Sequence, residues 1–428
     1  MKDTLNLPKT KFSMKANLAQ KEPEILKFWE EINLYEALQE QNKDKPKFTF
    51  HDGPPYANGP IHLGTSINKT LKDIACKSRL LSGYNVSFVP GWDCHGLPIE
   101  LNVEQKSGKP NKDISAKDFR AKCRDYANQQ IAIQKKDFKR LGVLADWNNP
   151  YKTMDYSFEA GIIRALSEIV KSGHLVKGDK PVYWCPDCNS ALAEAEVEYK
   201  DKTSISIDFL FEMETPSVNE IFNTSVNENI KTSFLSWTTT PWTIPGNVAL
   251  SVNPNLDYSL LEVNKDNSMQ CLIICKDLIE SVLERCSISN FTILSTKPGS
   301  ILESVEAKHP YFDRKSAVIL GDHVTTEMGT GIVHTAPAHG LEDFHVSNKY
   351  KLQIVNHVGS DGRFLETAID FSGMNLEEAN KKSIEMLEEQ SNLLSKDSYQ
   401  HSFPHCWRHK TPLFFRATPQ WFISMTAE

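Results

Sequence analysis

Along the first ninety residues the apolar positions change period repeatedly. Ile25, Phe28, Trp29, Ile32 and Tyr35 recur at helical spacing, and Pro23 suits a first helical turn. KFTFH (47–51) alternates as a short strand and runs into DGPPYANGP, which three prolines and two glycines mark as loop. From His62 the helical period returns, with Ile67, Leu71 and Ile74 on one face and Leu81 beyond. After Gly83, YNVSFV is a second strand, ending at the loop PGWDCHGLP. Strand, glycine-bearing loop, helix, strand is one βαβ unit of a parallel sheet. Residues 111–175 read as mainly helical.

Near residue 180 the pattern changes. PVYWCPDCNSALAEAEVEY is a short cysteine-bearing module, and 203–375 is rich in β-branched runs and turn signals. LEEANKKSIEMLEEQ (376–390) is helical again, and FPHCWRHKTPLFFRATPQWFISM reads as a return to the first domain. The predicted architecture is α/β: a partial Rossmann-like parallel-sheet domain carrying a large, mostly β insertion. Its expected boundaries are an arm and helix at 1–45, half a nucleotide-binding domain at 46–180 and a knuckle-like stem at 181–202. The insertion follows at 203–385, then a returning stem with re-entry into the first domain at 386–428.

Composition narrows the class. With 428 residues, 40% hydrophobic and 24% charged, the chain is an ordinary multidomain globular protein. It has no apolar run of spanning length and no apolar leader, so a membrane or secreted protein is not expected. Nine cysteines without regular spacing suit a reducing, cytoplasmic setting. The net charge of −7 removes a global attraction for nucleic acid. Lys135, Lys136, Lys139 and Arg140 form a local basic cluster that reads as a solvated helix face.

HDGPPYANGPIHLGT (51–65) stands where a strand feeds a helix, a position whose backbone N–H groups favour an anion. His62 can donate to a phosphate oxygen, and Gly64 leaves room for close approach. The string resembles the N-terminal signature of class I aminoacyl-tRNA synthetases, and its lead-in is similar to that of the isoleucyl enzymes. GWDCHGLPIE (91–100) resembles the same family. The resemblance implies an ATP site around Gly53, Pro54, Pro55, Tyr56, Asn58, Gly59, His62, Gly64 and Thr65. It also implies an amino-acid site at Asp93 and His95, with Trp421 at its edge. Thr65 stands where the family usually has histidine, so it keeps a hydroxyl but no positive charge. The implied reaction joins isoleucine to tRNA(Ile) through an adenylate, with ATP and Mg²⁺ and a monomeric enzyme. The family's Lys-Met-Ser-Lys-Ser string is absent from these residues, so a fragment unable to complete aminoacylation is expected.

SWTTTPWTIPGN (236–247) and GTGIVHTAPAHGLEDF (329–344) are similar to the editing domain of the same enzymes, which hydrolyses valyl-tRNA. The resemblance lines a small pocket with Thr238, Thr239 and Thr240, with Thr243 and Asn247 nearby, and places His334 by the ester or ribose and Asp343 at the substrate ammonium. A free-standing tRNA deacylase is the alternative reading. Finally, Cys185 and Cys188 in WCPDC pair in pattern with Cys406 and His409 in HCWRH, a donor set for one structural Zn²⁺. A thioredoxin-like redox motif and plain packing without metal are its rivals, and His405 is a substitute for His409. The other six cysteines read as small buried hydrophobes.

Overall fold

In the computed structural model, residues 15–265 and 268–426 are described; residues 1–14 of the expected arm lie outside them. The chain divides into two compact units, Met1–Gly173 and His174–Glu428.

The first unit begins with α1 (Leu18–Glu31) and α2 (Leu34–Gln41), separated where Asn33 adopts the left-handed conformation at φ 46°. Pro23 lies inside α1 rather than in its first turn, and Ile25, Phe28 and Ile32 are exposed. Then come β1 (Lys47–Phe50), α3 (Leu63–Leu81) and β2 (Asn85–Phe88). The two strands pair in parallel from Lys47↔Asn85 to Phe50↔Phe88, as the periodicity predicts for a βαβ unit. The orientation of α3 is less expected. Ile67, Leu71 and Ile74 are all more than half exposed, while Lys69, Asp73 and Cys76 are buried. Asp73 accepts from the Leu144 N–H (2.8 Å) and Lys69 meets Asp52, so polar partners turn this face inward.

β3 (Gly91–Trp92) pairs in parallel with β4 (Tyr151–Lys152). Helices α4 (Leu97–Ser107), α5 (Ala116–Arg140) and α6 (Tyr156–Lys171) complete the unit. Phe88, Trp92, Ile99 and Phe138 centre its core. Part of the basic cluster ties helices together: Lys139 reaches Glu30 (2.8 Å) and Arg140 reaches Glu22 (2.7 Å), which links α5 to α1.

The second unit opens with β5 (Leu175–Gly178), β6 (Pro181–Cys185), β7 (Ser190–Leu192) and the 17-residue β8 (Val197–Met213). After α7 (Thr215–Phe222) follow β9 (Thr232–Thr238), β10 (Ala249–Val252), β11 (Asp257–Lys265) and β12 (Ser268–Cys275). Next come α8 (Ile279–Arg285), β13 (Phe291–Pro298), β14 (Glu306–Lys308), β15 (Lys315–Leu320) and β16 (Ile332–Thr335). The last elements are α9 (Leu341–Lys349), α10 (Leu376–Glu389), β17 (Leu393–Cys406), β18 (Phe414–Ala417) and β19 (Gln420–Ile423).

A six-stranded sheet runs β13-β11-β12-β9-β8-β17 and a four-stranded sheet β14-β15-β10-β16. The strand-rich reading of 203–375 therefore holds. Side chains from both sheets, among them Phe209, Phe211, Phe234, Leu250 and Val318, form one apolar core, so the two sheets cover each other. Outside that core, β8 and β17 continue as an antiparallel ribbon as far as Val197↔Cys406. β18 joins β6 and β7, and β19 pairs with β5.

Candidate functional sites

In the first unit the two motif loops lie side by side. Tyr56 and Asp93 form a parallel bridge; the Ala57 N–H donates to the Asp93 carbonyl (2.8 Å) and the Asp93 N–H to the Pro55 carbonyl (2.9 Å). Gln134, buried on α5, donates to the carbonyls of Tyr56 (2.9 Å) and Gly59 (2.8 Å) and accepts from the Trp92 indole (3.0 Å). Asn58 Oδ1 accepts from Asn102 and Tyr126 (3.1 and 2.8 Å). Asp93 approaches Thr153 (3.5 Å), and His95 reaches both Thr153 (3.4 Å) and Glu159 (3.2 Å).

His62 is the N-cap of α3. Its Nδ1 accepts from the backbone N–H groups of Gly64 (3.1 Å) and Thr65 (3.4 Å), while Thr65 Oγ1 accepts from the His62 N–H (2.8 Å). The departure from histidine at position 65 thus completes a reciprocal cap. A Cβ at Gly64 would sit 2.9 Å from His62 Cε1, so glycine here lets the ring lie over the helix end.

Sequence reasoning missed the support beneath this loop. Asp52 follows β1, fully buried, and accepts from Lys69 (2.5 Å), Lys72 (2.8 Å) and the Gly91 N–H (3.2 Å). Lys72 also donates to the Gly53 carbonyl (2.8 Å). A buried carboxylate with two ammonium partners and a backbone donor is compensated, and it joins both motif loops to α3. The available signal was a pair of lysines on the face of α3 opposite its apolar residues.

In the second unit a cavity of about 330 Å³ is lined by Thr238, Thr239, Thr240, Thr243, His334 and Asp343, among others. The threonine run follows β9, His334 sits in β16, and Asp343 stands in the first turn of α9. Thr238 and Thr240 hydroxyls meet at 3.3 Å, Thr243 donates to the Thr240 carbonyl (2.9 Å), and His334 Nε2 lies 2.9 Å from the Thr243 hydroxyl. Because the Thr243 hydroxyl donates to the Thr240 carbonyl, His334 donates to that hydroxyl from Nε2, which leaves the buried Nδ1 without a partner; the imidazole is neutral, since burial holds it down to about 4. His339, also at the cavity, is lowered to about 4 by burial and meets the Phe415 carbonyl through Nδ1 (3.0 Å).

Burial pushes Asp343 up to about 6, although the Ala336 N–H (2.9 Å) favours its charged form. Asn247 is not on the cavity wall. It is fully buried, donates to the Ala249 carbonyl (2.8 Å) and accepts from Ser316 (2.6 Å), so it braces the four-stranded sheet. Trp421 is 68% exposed on β19 of this unit.

Cys185, Cys188, Cys406 and His409 bring their donor atoms within 4.8 Å of one another. Cys188 and Cys406 sulfurs are 3.7 Å apart, and His409 Nδ1 lies 3.1 Å from Cys188 and 3.9 Å from Cys185. Tetrahedral zinc with sulfur ligands at about 2.3 Å needs sulfur separations of about 3.8 Å, so the donor set fits the ion. Backbone N–H groups of Cys188 and His409 point at the Cys185 and Cys406 sulfurs (3.4 and 3.5 Å). His405 is turned away, bonded to the Phe403 carbonyl (2.8 Å). Cys76, Cys94, Cys271, Cys275 and Cys286 are buried as expected, and Cys123 is partly so.

Two motif loops are thus hydrogen-bonded at a strand–helix junction, and the second unit holds a hydroxyl-lined cavity. Residues 24–427 match the family of tRNA synthetases class I (I, L, M and V), and the chain belongs to it. It is 54% identical to the isoleucine–tRNA ligase of Shewanella pealeana over 428 residues and to that of Shewanella halifaxensis over 426. Each alignment covers 99% of this chain and 45% of the relative, so the chain spans a little under half their length. A solved LeuRS–tRNA–LeuAMS complex from Agrobacterium radiobacter K84 is similar at 15% identity and a TM-score of 0.38, over 94% of this chain and 49% of that one.

Proposed function

We propose that this chain carries the first half of the activating site and the hydrolytic site of an isoleucine–tRNA ligase. The observation that carries the reading is the convergence of Thr238, Thr239, Thr240, Thr243, His334 and Asp343 on one cavity. Isoleucine and valine differ by one methylene, worth about 1–3 kcal/mol in an apolar pocket, and this amino-acid pair is the standard illustration of that limit. A second, narrower site that cleaves the wrong ester supplies the missing discrimination.

In the cavity, ionised Asp343 receives the substrate ammonium. The threonine hydroxyls and neutral His334 hold the ester and a water. The water oxygen adds to the ester carbon, the bond to the ribose oxygen breaks, and that oxygen takes up the water's proton. In the first unit, His62, Gly64 and the α3 N-terminus receive ATP phosphates, Gly53 to Gly59 form the loop beside them, and Asp93 receives the isoleucine ammonium. Mg²⁺ bound with ATP supplies charge neutralisation. Cys185, Cys188, Cys406 and His409 would hold one structural Zn²⁺, tying the turn between β6 and β7 to the end of β17.

The test is hydrolysis of valyl-tRNA(Ile) by the 428-residue chain without ATP. Release of valine with isoleucyl-tRNA(Ile) left intact supports the reading. Equal hydrolysis of both, or of neither, refutes it.

A further inference from the structure

We infer that an aromatic row on β17 is a stacking track for the single-stranded 3′ end of RNA, leading to the mouth of the cavity. Tyr399, His401 and Phe403 alternate along β17, so their side chains share one face of the ribbon. Successive rings lie 5.4 Å apart between centroids. At the upper end Tyr399 packs edge-on against Trp237 (5.4 Å) and its hydroxyl reaches Met328 Sδ (3.1 Å). Trp237 and Met328 both line the cavity, so row and cavity are continuous.

The row also has the charge an RNA strand needs. Lys202 is the register partner of His401 and Lys200 that of Phe403, and the Lys202 ammonium stands 4.5 Å from the Phe403 ring centroid. His401, lowered by burial and by Lys202, is a neutral ring at pH 7.

Cross-strand aromatic contacts stabilise any sheet, but a row serving packing alone would be covered. Tyr399, His401 and Phe403 are each only partly buried, and β17 is an outer strand of its sheet. Aromatic faces beside cationic side chains accept bases of any sequence, which suits a strand that must slide an end into a pocket. The choice of an aminoacylated RNA end as occupant rests on the proposed hydrolysis; the stacking geometry does not.

The test uses the full chain and a fluorescently labelled single-stranded RNA of eight nucleotides ending in CCA, with a blunt RNA duplex as control. Phe403→Leu keeps apolar bulk but cannot stack, and should weaken binding on the order of tenfold. Phe403→Trp should retain affinity, and Lys202→Ala should reduce the salt slope by about 0.7. Binding unchanged in Phe403→Leu, or equal loss in Phe403→Leu and Phe403→Trp, overturns the inference. So does wild-type preference for the duplex, or capture of peptides in place of RNA.

Hydrolysis of the valyl ester of adenosine by the wild-type chain is measured in parallel. Ester cleavage with RNA binding indifferent to the row removes the track and leaves the cavity reading standing. RNA binding that follows the row, without ester cleavage, does the reverse.

Discussion

Asp343→Asn separates stability from function at one atom. The amide keeps the shape and still accepts from the Ala336 N–H, now 2.9 Å from the carboxylate. In the folded chain Asp343 holds a proton up to about pH 6, against 3.8 ordinarily. Between those values Asp343 binds more protons in the folded state than in the unfolded, so its contribution to wild-type stability falls as pH rises through the window. Converted at about 1.4 kcal/mol per tenfold change in proton affinity, the difference sets a ceiling of ~3 kcal/mol. Water in the cavity screens part of it, so about 1–3 kcal/mol is expected.

Asp343→Asn should therefore match the wild type near pH 4 and become more stable by that amount above pH 7. His334 and His339, lowered to about 4 by burial, raise stability as pH rises over the same window, but they do so in both proteins, so the effect is read as the difference between variant and wild type. Urea unfolding at pH 4.5, 6 and 8 reads the stability directly. Valyl-tRNA hydrolysis should fall at least tenfold in the variant, because a charged hydrogen-bond partner worth about 1.5–3 kcal/mol is lost. In the wild type, hydrolysis should fall as pH drops below 6. A variant less stable than the wild type at pH 8, or one that still hydrolyses at the wild-type rate, refutes the reasoning.

Asp208, almost fully buried, receives two hydrogen bonds from Arg285 (2.9 and 2.7 Å), and Arg285 also reaches the Gly329 carbonyl at the cavity rim. Asp208→Ala strands the guanidinium and should cost about 3–5 kcal/mol in urea unfolding. Gly64→Ala adds helix propensity of up to ~1 kcal/mol but drives His62 off its cap, a loss of similar size. Its melting temperature should move little while Mg-ATP affinity, measured by calorimetry, falls. Cys188→Ser should reduce zinc, measured by atomic absorption, from one equivalent per chain, and chelators should lower the melting temperature of the wild type more than that of the variant.

Short-range signals carried much of this. The change of period at Lys47, His62 and Asn85 located a parallel βαβ unit, and that topology brought residues 51–65 beside 91–100. The pattern could not orient α3, because Lys69 and Asp73 are buried by partners 17 and 71 positions away. Thr65 looked like a weakened catalytic position, whereas its hydroxyl closes a cap with His62. Asn247 lay within the right motif but on the wrong side of the chain: its amide serves the sheet, a distinction that depends on Ser316. Asp208 gave no hint at all, since its partner Arg285 comes from a helix 77 residues further on.

Val197 and Cys406 stand opposite each other at the foot of the ribbon. Everything threaded between them is an excursion that departs and comes back through one doorway. A host fold interrupted there need hold two neighbouring chain ends, whatever the length of the detour, and the entropy of closing that gap grows slowly with length. Such an excursion can lengthen at little entropic cost, and Cys185, Cys188, Cys406 and His409 gather at its foot.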